Sequence, residues 1–347
     1  MIKQGDDTII SYEPLWNTLR ERNISQYELI KKYQQEIYLI DSYYRWFYYS
    51  YDKIFERERF VGVRERVENI YANTYLQKIV PKWNNVLTDD SLNKLGIVKQ
   101  EQFYKHYLSN ADSRVVVIIS DALRYECAKE LMANIELDDR CEARMETMLG
   151  VLPSVTSVGM ASLLPHTEFN VDEIVNVKIN NASCSDLDTR DKILKETNAN
   201  NIAVSFEEIY SANYADIKEK LQGKNLIYIY HNQVDARGDK PASENEVFNA
   251  CAEAIKEIEE MIRKLTNAIS TTKYIVTADH GFLYRRDKLQ EFDKVSYQKD
   301  ICTHSSKRFL ITTEKVEAQG IMSRMMAYMD KLYFATPVGA AIFKVAG

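Results

Sequence analysis

The chain has 347 residues and a formal net charge of −6, with 45% hydrophobic and 28% charged residues. This length suits one large α/β domain with an appendage, or two ordinary domains. The acidic balance excludes a generally basic, DNA-coating surface, although not a locally basic groove. Five dispersed cysteines without a Cys-x-x-Cys pair indicate reduced thiols. Because no apolar run approaches the roughly 20 residues that span a bilayer, and no signal-peptide core is present, we predict a soluble cytoplasmic protein without membrane contact.

Residues 1–112 form one compositional block, which we predict to be an all-helical N-terminal region. Apolar and aromatic residues recur every three or four positions over 27–54, the spacing of a long amphipathic helix. Shorter helices are predicted over about 60–80 and 92–108, with a break near Pro81. This region therefore differs in kind from the rest of the chain.

Tyrosines are unusually dense over residues 37–51. One interpretation is an aromatic platform that stacks nucleic-acid bases. A helix packed on both sides, with its tyrosine hydroxyls left in water, explains the pattern better because acids match the basic residues there.

From Arg114 onwards, short β-branched runs alternate with helical stretches. Strands are predicted over 115–119, 202–204, 226–230, 274–277 and 309–312. Helices are predicted over 186–197, 206–221 and 244–269 between them. This alternation predicts βαβ units and a doubly wound, mostly parallel sheet flanked by helices. The polar segment 109–113 marks the boundary, which gives a second domain over 113–347.

Potential metal ligands follow two of these strands. Asp279, His280 and Gly281 come directly after the run at 274–277. The carboxyl ends of parallel strands open into a ligand crevice, and carboxylate oxygen with neutral imidazole suits a divalent metal, zinc above all. Asp121 follows the 115–119 strand in the same way, although an aspartate there is also a common N-cap of the next helix.

A hydroxyl-rich loop contains a candidate nucleophile. Thr156 lies in the segment 152–162, ahead of Gly159, which permits a close backbone approach. A metal bound to the threonine hydroxyl would lower its pKa and make it nucleophilic. Ordinary helix capping is the commoner role of such a hydroxyl.

Two later stretches supply groups of the same chemical type. Asp235 and Asp239 follow the 226–230 strand, and His304 precedes the run at 309–312. Taken singly, the two acids suit a solvated turn, and a lone loop histidine carries little weight. Ligand-type residues at four strand ends are much less expected by chance than at one.

Together these segments resemble the alkaline phosphatase superfamily and, within it, the PglZ domain of bacterial anti-phage systems of the BREX type. The resemblance covers about 115–309 and depends on the order of 119–126, 153–165, 235–239, 279–281 and His304. It implies an alkaline-phosphatase-like fold for the domain over 113–347.

The resemblance also implies two divalent metals, with zinc as the first choice and manganese or magnesium as alternatives. The ligands that it assigns to the first metal are Asp121, Asp279, His280 and the Thr156 hydroxyl. Those that it assigns to the second are Asp235, Asp239 and His304. Many superfamily members carry a histidine where this chain has Asp239, a change that favours the harder metals and leaves His231 as an alternative ligand.

The activity implied by the resemblance is metal-dependent hydrolysis of phosphate esters, as a phosphatase or phosphodiesterase. Thr156 would be the nucleophile, and the substrate would be a phosphate ester or a nucleotide. Four cationic residues are candidates for contact with the phosphate: Arg124, Arg237, Lys307 and Arg308. Three aromatic residues could stack a nucleobase or equally pack in the core: Tyr125, Phe282 and Tyr284.

The resemblance further suggests a role in phage defence, with the N-terminal helices as a docking element for other defence proteins. One alternative is a nuclease acting on short single strands, because the acidic charge counts against tight duplex binding. Another is a catalytically weak metal-binding scaffold of a defence complex. The tail over 335–343 ends in mid-pattern, which suggests part of a longer chain.

Overall fold

The computed structural model describes residues 24–86, 96–238, 246–287, 289 and 291–344. In chain order its α-helices are α1 (Gln26–Lys32), α2 (Tyr38–Tyr51), α3 (Val61–Asn69), α4 (Gln77–Val86), α5 (Tyr125–Ile135), α6 (Thr156–Ser162), α7 (Leu187–Thr197), α8 (Phe206–Ser211), α9 (Tyr214–Leu221), α10 (Asp235–Gly238) and α11 (Val247–Ile269). The strands are β1 (Val98–Lys99), β2 (Val115–Ser120), β3 (Met148–Leu149), β4 (Phe169–Val171), β5 (Val177–Ile179), β6 (Ala182–Ser183), β7 (Asn201–Ser205), β8 (Leu226–His231), β9 (Tyr274–Thr277), β10 (Lys294–Val295), β11 (Cys302–Ser305), β12 (Leu310–Thr312), β13 (Ile321–Met325), β14 (Tyr333–Pro337) and β15 (Ile342–Phe343).

The N-terminal region is helical, as predicted. A π-helical turn over 33–37 joins α1 to α2, so that helical structure runs from Gln26 to Tyr51. Ser25 caps this helix in a capping box with Glu28. The predicted break near Pro81 is wrong, because α4 continues through that residue. Ile79 ahead of the proline is buried, and Trp83 after it packs against the same core, which offsets the local cost of about 3 kcal/mol.

The tyrosines of this region are packed against neighbouring helices and the α/β half of the chain. Tyr71 and Tyr75 donate hydrogen bonds to Asp41 at 2.7 and 3.1 Å. Tyr44 and Tyr48 both donate to Glu68 at 2.7 Å. The interpretation as packed residues is thus confirmed, but these hydroxyls bond to buried carboxylates and are not left in water as we expected.

A four-stranded parallel sheet, in the order β7-β8-β2-β9, forms the centre of the α/β half. Every residue of β2 is buried, as expected for a strand covered on both faces. Val116 and Ile118 pack into one core, with α5 and α11, whereas Val117 and Ile119 pack into a second core, with α6 and α7. The predicted α/β architecture is therefore confirmed.

Smaller sheets surround the parallel one. The strand predicted at 309–312 is present as β12, but it pairs antiparallel in a separate sheet of order β11-β12-β14-β13. The helix predicted over 92–108 is confirmed only in part: 92–95 lie outside the described residues, 98–99 form β1, which pairs with β3, and helical turns follow over 100–108. Phe103 and Leu108 of this segment pack into the second core. The boundary between 112 and 113 stays a prediction. None of the described helices is both long and apolar enough to cross a bilayer.

Candidate active site

Four chain segments meet at the carboxyl edge of the parallel sheet. Asp121 follows β2, the Asp279–His280 pair follows β9, and Asp235 begins α10 after β8. Thr156 is the first residue of α6. Because β2 lies between β8 and β9, the three strands deliver their terminal side chains to one place.

The donor atoms of three of these residues are close enough to share a cation. One ligand atom from each of Asp121, Asp235 and His280 lies within 4.8 Å of the other two. His280 Nε2 is 3.5 Å from Asp121 Oδ1 and 3.5 Å from Asp279 Oδ2. The Thr156 hydroxyl lies 3.1 Å from the same nitrogen. The cluster therefore places a hydroxyl beside its candidate metal ligands.

The ring of His280 is oriented as a metal ligand would be. Its Nδ1 lies 3.1 Å from the carbonyl oxygen of Gly281, and a carbonyl only accepts, so Nδ1 carries a proton. In the neutral ring the lone pair is then on Nε2, which faces Asp121, Asp279 and Thr156. A backbone carbonyl that fixes the tautomer in this way is common behind metal-bound histidines.

The electrostatics of the two buried aspartates suit a positively charged ligand. Burial, together with the charges of Asp279 and Asp235, raises the pKa of Asp121 to about 9. Burial likewise raises the pKa of Asp279. Within the described part of the chain, neither Asp121 Oδ1 nor Asp279 Oδ2 has a hydrogen-bond partner. A divalent cation would satisfy both oxygens, so these residues fit such a group.

The other Asp279 oxygen fixes the turn after β2. Oδ1 accepts hydrogen bonds from the backbone N–H of Ala122 at 3.1 Å and of His280 at 2.8 Å. Ala122 has φ +59°, a conformation that costs a non-glycine residue about 1–2 kcal/mol. The carboxylate thus holds a strained turn directly after Asp121, a type of strain that clusters at functional sites.

The capping roles that we considered for two residues do not apply. The N-cap of α5 is Arg124, three residues after Asp121. The N-cap of α6 is Val155, and the Thr156 hydroxyl lies against His280. Both side chains therefore face the cluster.

The predicted second-metal set is only partly assembled by the described residues. Asp235 lies in the cluster, whereas Asp239 lies outside the described residues. The His304 ring stacks on Phe309 at 5.4 Å, and among the described residues His304 does not join the cluster. Its role as a ligand stays a prediction.

His231, the alternative ligand, has both ring nitrogens engaged elsewhere. Nδ1 lies 3.0 Å from the Ser120 hydroxyl, and Nε2 lies 3.0 Å from Glu257. The residue is also buried. A ring held between two partners is poorly placed to bind a metal as well.

Three of the four predicted phosphate-contacting cations contact other groups, and the role of Lys307 stays a prediction. Arg124 is buried and forms ion pairs with Asp41 at 3.2 Å and Glu126 at 3.4 Å. Arg237 pairs with Glu253, and Arg308 donates to backbone carbonyls at 340 and 341. A catalytic role for Arg124 stays a prediction; its described contacts join α5 to the helical region.

The candidate base-stacking residues are packed against neighbouring side chains. Tyr284 is buried with its ring edge-on to Phe248 at 4.9 Å. Tyr125 contacts the rings of Tyr33 and Tyr38, and Phe282 lies beneath Arg124. The core-packing interpretation accounts for these contacts.

One residue of the site was missed by sequence reasoning. Gln100 is buried, and its side-chain amide bonds to the backbone at Val151 and Asp279. A glutamine within a predicted helix carries no pattern that would mark it.

The fold and the cluster define the class of protein: an α/β domain with a candidate metal site at the carboxyl edge of its parallel sheet. Comparison with known families then identifies it. The sequence model of the family described as the BREX system PglZ alkaline phosphatase-like domain matches residues 100–347. The chain belongs to this PglZ family.

Two curated relatives agree with this assignment. The chain is 36% identical over 333 residues to the alkaline phosphatase-like protein PglZ of Bacillus cereus (strain H3081.97), covering 92% of this chain and 39% of that protein. It is 32% identical over 366 residues to the alkaline phosphatase-like protein BrxZ of Escherichia coli O9:H4 (strain HS), covering 98% and 42%. The chain therefore spans well under half the length of either relative.

Proposed function

We propose that this chain carries the catalytic centre of a metal-dependent phosphoesterase that uses Thr156 as its nucleophile and acts in bacterial phage defence. The observation that carries the proposal is the convergence of Asp121, Asp235 and His280 beside the Thr156 hydroxyl. Two buried carboxylate oxygens there have no hydrogen-bond partner among the described residues, as expected of groups that hold a cation.

The proposed ligand set combines the cluster with the residues implied by the resemblance. The residues that would hold the first of two divalent metals are Asp121, Asp279, His280 and Thr156. Those that would hold the second are Asp235, Asp239 and His304. The histidine nitrogen in each set makes zinc the first candidate, while the oxygen donors, which outnumber the nitrogen donors, keep manganese and magnesium competitive.

The chemistry of the proposed reaction is a double displacement at phosphorus. When bound, two divalent metals supply positive charge that lowers the pKa of the hydroxyl and neutralises the departing oxygen. The Thr156 oxygen loses its proton to solvent and attacks phosphorus; its bond to phosphorus forms as the ester bond breaks. The alcohol leaves with a proton taken from water. A second water then attacks the phosphoryl group on Thr156, which releases phosphate from a monoester substrate, or a phosphate monoester from a diester, and restores the hydroxyl.

The rigid surroundings of Thr156 support this role. The hydroxyl lies on the first turn of α6, in which the residues from Val158 to Ser162 are all buried. A nucleophile held on a packed helix keeps its distance to the neighbouring ligands, and such positioning contributes to rate. We propose diesters or nucleotides as the preferred substrates.

The proposal is tested by metal-dependent hydrolysis. The chelator-treated chain is assayed with added zinc, manganese or magnesium on p-nitrophenyl phosphate, on bis-p-nitrophenyl phosphate and on a short single-stranded oligonucleotide. We expect turnover that requires metal and is lost in Thr156→Ala, with Thr156→Ser partly active. The exposed Thr272→Ala serves as the matched control.

The outcomes separate the alternatives. Faster turnover of the diester would indicate a phosphodiesterase, and faster turnover of the monoester would indicate a phosphatase. Cleavage of the oligonucleotide alone would favour a nuclease. Stoichiometric bound metal without turnover would favour a metal-binding scaffold. Absence of bound metal would overturn the site assignment.

We also propose that the N-terminal helices dock other proteins of the defence system. Several aromatic side chains there remain exposed, notably Phe55 (99% exposed), Trp46 and Tyr43. Tyr43 and Trp46 lie three positions apart in α2 and so share a face, and large exposed apolar groups of this kind are typical of interaction surfaces. With the proteins of one BREX system co-expressed, we expect Trp46→Ser with Phe55→Ser to weaken co-purification while hydrolysis is unchanged. Unchanged co-purification would contradict docking at these residues.

A further inference from the structure

Gln100 lies at the junction between the two segments that supply the candidate nucleophile and the metal ligands. It follows β1, which pairs in parallel with β3, and it opens the 3₁₀ turn Gln100–Gln102. Its exposure is only 1%, which is unusual for a glutamine. It is neither a member of the metal-ligand cluster nor a group that contacts Thr156. Its position therefore needs a separate explanation.

The hydrogen-bonding groups of this side chain are used on both sides. Nε2 donates to the carbonyl oxygen of Asp279 at 2.7 Å and to that of Ala278 at 3.3 Å. Oε1 accepts from the backbone N–H of Val151 at 2.9 Å. Val151 begins the loop that leads into Thr156, and Asp279 follows β9. One amide thus connects the segment of the nucleophile to the segment of the ligands.

The same Asp279 peptide is contacted from α6 as well. A Cβ atom added at Gly159 would lie 2.4 Å from the Asp279 carbonyl oxygen and 2.7 Å from its carbonyl carbon. The helix that carries Thr156 therefore rests directly on the Asp279 backbone, a contact that only glycine permits. Gln100 and Gly159 reach this peptide from different segments and together restrict its position.

We propose that Gln100 is a positioning residue that sets the separation between the Thr156 hydroxyl and the Asp279–His280 ligands. The inference rests on the proposed function, because it assigns Gln100 a part in that site. It acts through backbone atoms and touches neither the substrate nor the metals. A shift of about 1 Å in such a site costs up to about 100-fold in rate. A residue that fixes this separation therefore affects kcat more than substrate binding.

Two variants test the donor and the acceptor of the Gln100 side-chain amide. Gln100→Met keeps the length of the side chain but removes both its donor and its acceptor. Gln100→Glu keeps an acceptor for the Val151 N–H and, when ionised, removes the donor to Asp279. Gln102→Met is the matched control, because Gln102 belongs to the same turn, is exposed, and accepts a hydrogen bond from the backbone N–H of Lys99, away from Val151 and Asp279.

The readouts are kcat and KM on the preferred ester, zinc affinity of the chelator-treated chain by titration calorimetry, and hydrogen exchange of the Val151 amide. We expect kcat to fall about 10- to 100-fold in both variants, with KM changed less than about threefold. Zinc binding weakens in both, since loss of an outer partner of a ligand typically costs about 10- to 100-fold in affinity. Val151 exchange accelerates in Gln100→Met and stays slow in Gln100→Glu.

The inference and the proposed function fail in different ways. If the wild-type chain neither binds zinc nor turns over, the proposed function fails. If the wild type does both, and folded Gln100→Met and Gln100→Glu match it within about twofold in kcat and zinc affinity, the inference is overturned. Should Gln100→Met not fold, Gln100→Glu decides alone. Failure of both to fold would make Gln100 a residue of the fold and would also overturn it.

Discussion

The contact between α6 and the Asp279 backbone gives a sharp test of how the site is held together. Gly159→Ala would place a Cβ 2.4 Å from the Asp279 carbonyl oxygen, where ordinary contact begins at 3.4 Å. The difference, 3.4 − 2.4, means that helix and strand end must separate by about 1 Å. Because backbone lies on both sides, no side-chain rotation relieves the clash.

The expected change in the free energy of unfolding of Gly159→Ala has two parts. Overpacking of this kind costs about 1–3 kcal/mol, whereas alanine in place of glycine within a helix recovers about 0.5–1 kcal/mol. Stability therefore falls by roughly 0–2.5 kcal/mol. We expect kcat to fall on the order of 100-fold, because Thr156 moves away from His280 and Asp279.

The assay pairs urea denaturation with kcat on the same preparations. Gly62→Ala is the matched control: Gly62 lies in α3 with nothing within 4 Å of an added Cβ, so alanine there should stabilise by about 0.5–1 kcal/mol without affecting turnover. If Gly159→Ala has wild-type kcat and stability, the close approach of α6 to Asp279 does not organise the site.

Three further predictions address charge, metal binding and the helical region. In the metal-free chain the folded state keeps an Asp121 proton that the unfolded state loses near pH 4. The free energy of unfolding should therefore fall as pH rises from about 4 to about 9, by at most about 1.4 kcal/mol per pH unit. Urea midpoints across this range should show the slope, and Asp121→Asn should flatten it while Asp188→Asn does not. His280→Ala should weaken zinc binding by more than about 100-fold in calorimetry, beyond the loss expected for an outer-shell partner, and an unchanged affinity would exclude His280 as a ligand. Arg286 donates to both oxygens of Asp52 at 2.6 and 2.9 Å, so a double-mutant cycle should give a coupling of about 1 kcal/mol or more, and additive losses would show that this pair does not hold α2 to the chain after His280.

The parallel sheet was predictable because its strands are short and apolar, with β2 fully buried, β7 and β8 almost so, and the edge strand β9 half-buried. The runs that became β2, β8 and β9 are bounded by polar residues, and a buried parallel strand leaves that signature. The convergence of Asp121, Asp235 and His280 followed from the rule that such strands present ligands at their carboxyl ends. These inferences needed only local pattern and one topological rule.

The connections between distant segments were not predictable. The bonds from Gln100 reach 51 residues to Val151 and 179 residues to Asp279, and no local pattern encodes either. The ion pair between Arg124 and Asp41 was equally unpredictable, because Asp41 lies in the helical region, far from Arg124 in the sequence. Sequence pattern shows which residues end a strand, but tertiary packing decides which neighbours they meet.

The tyrosines illustrate the same limit at the level of single side chains. Their helical spacing correctly indicated a packed face over 37–51. That their hydroxyls would converge on Asp41 and Glu68 depends on the approach of 68–75 from another helix. Which acid accepts hydrogen bonds from which tyrosines is therefore decided by the tertiary structure.

The role of Thr156 as the nucleophile can be tested by looking for a covalent phosphoryl group on its side chain. The wild-type chain, loaded with zinc, is mixed with the preferred ester, quenched in acid and digested for mass spectrometry, while turnover is measured in parallel. We expect metal-dependent turnover and a phosphoryl group, with its second ester arm if the substrate is a diester, on the peptide that contains Thr156, with both lost in Thr156→Ala. Continued turnover in Thr156→Ala, with no phosphoryl group on that peptide in the wild type, would contradict a nucleophilic role for Thr156.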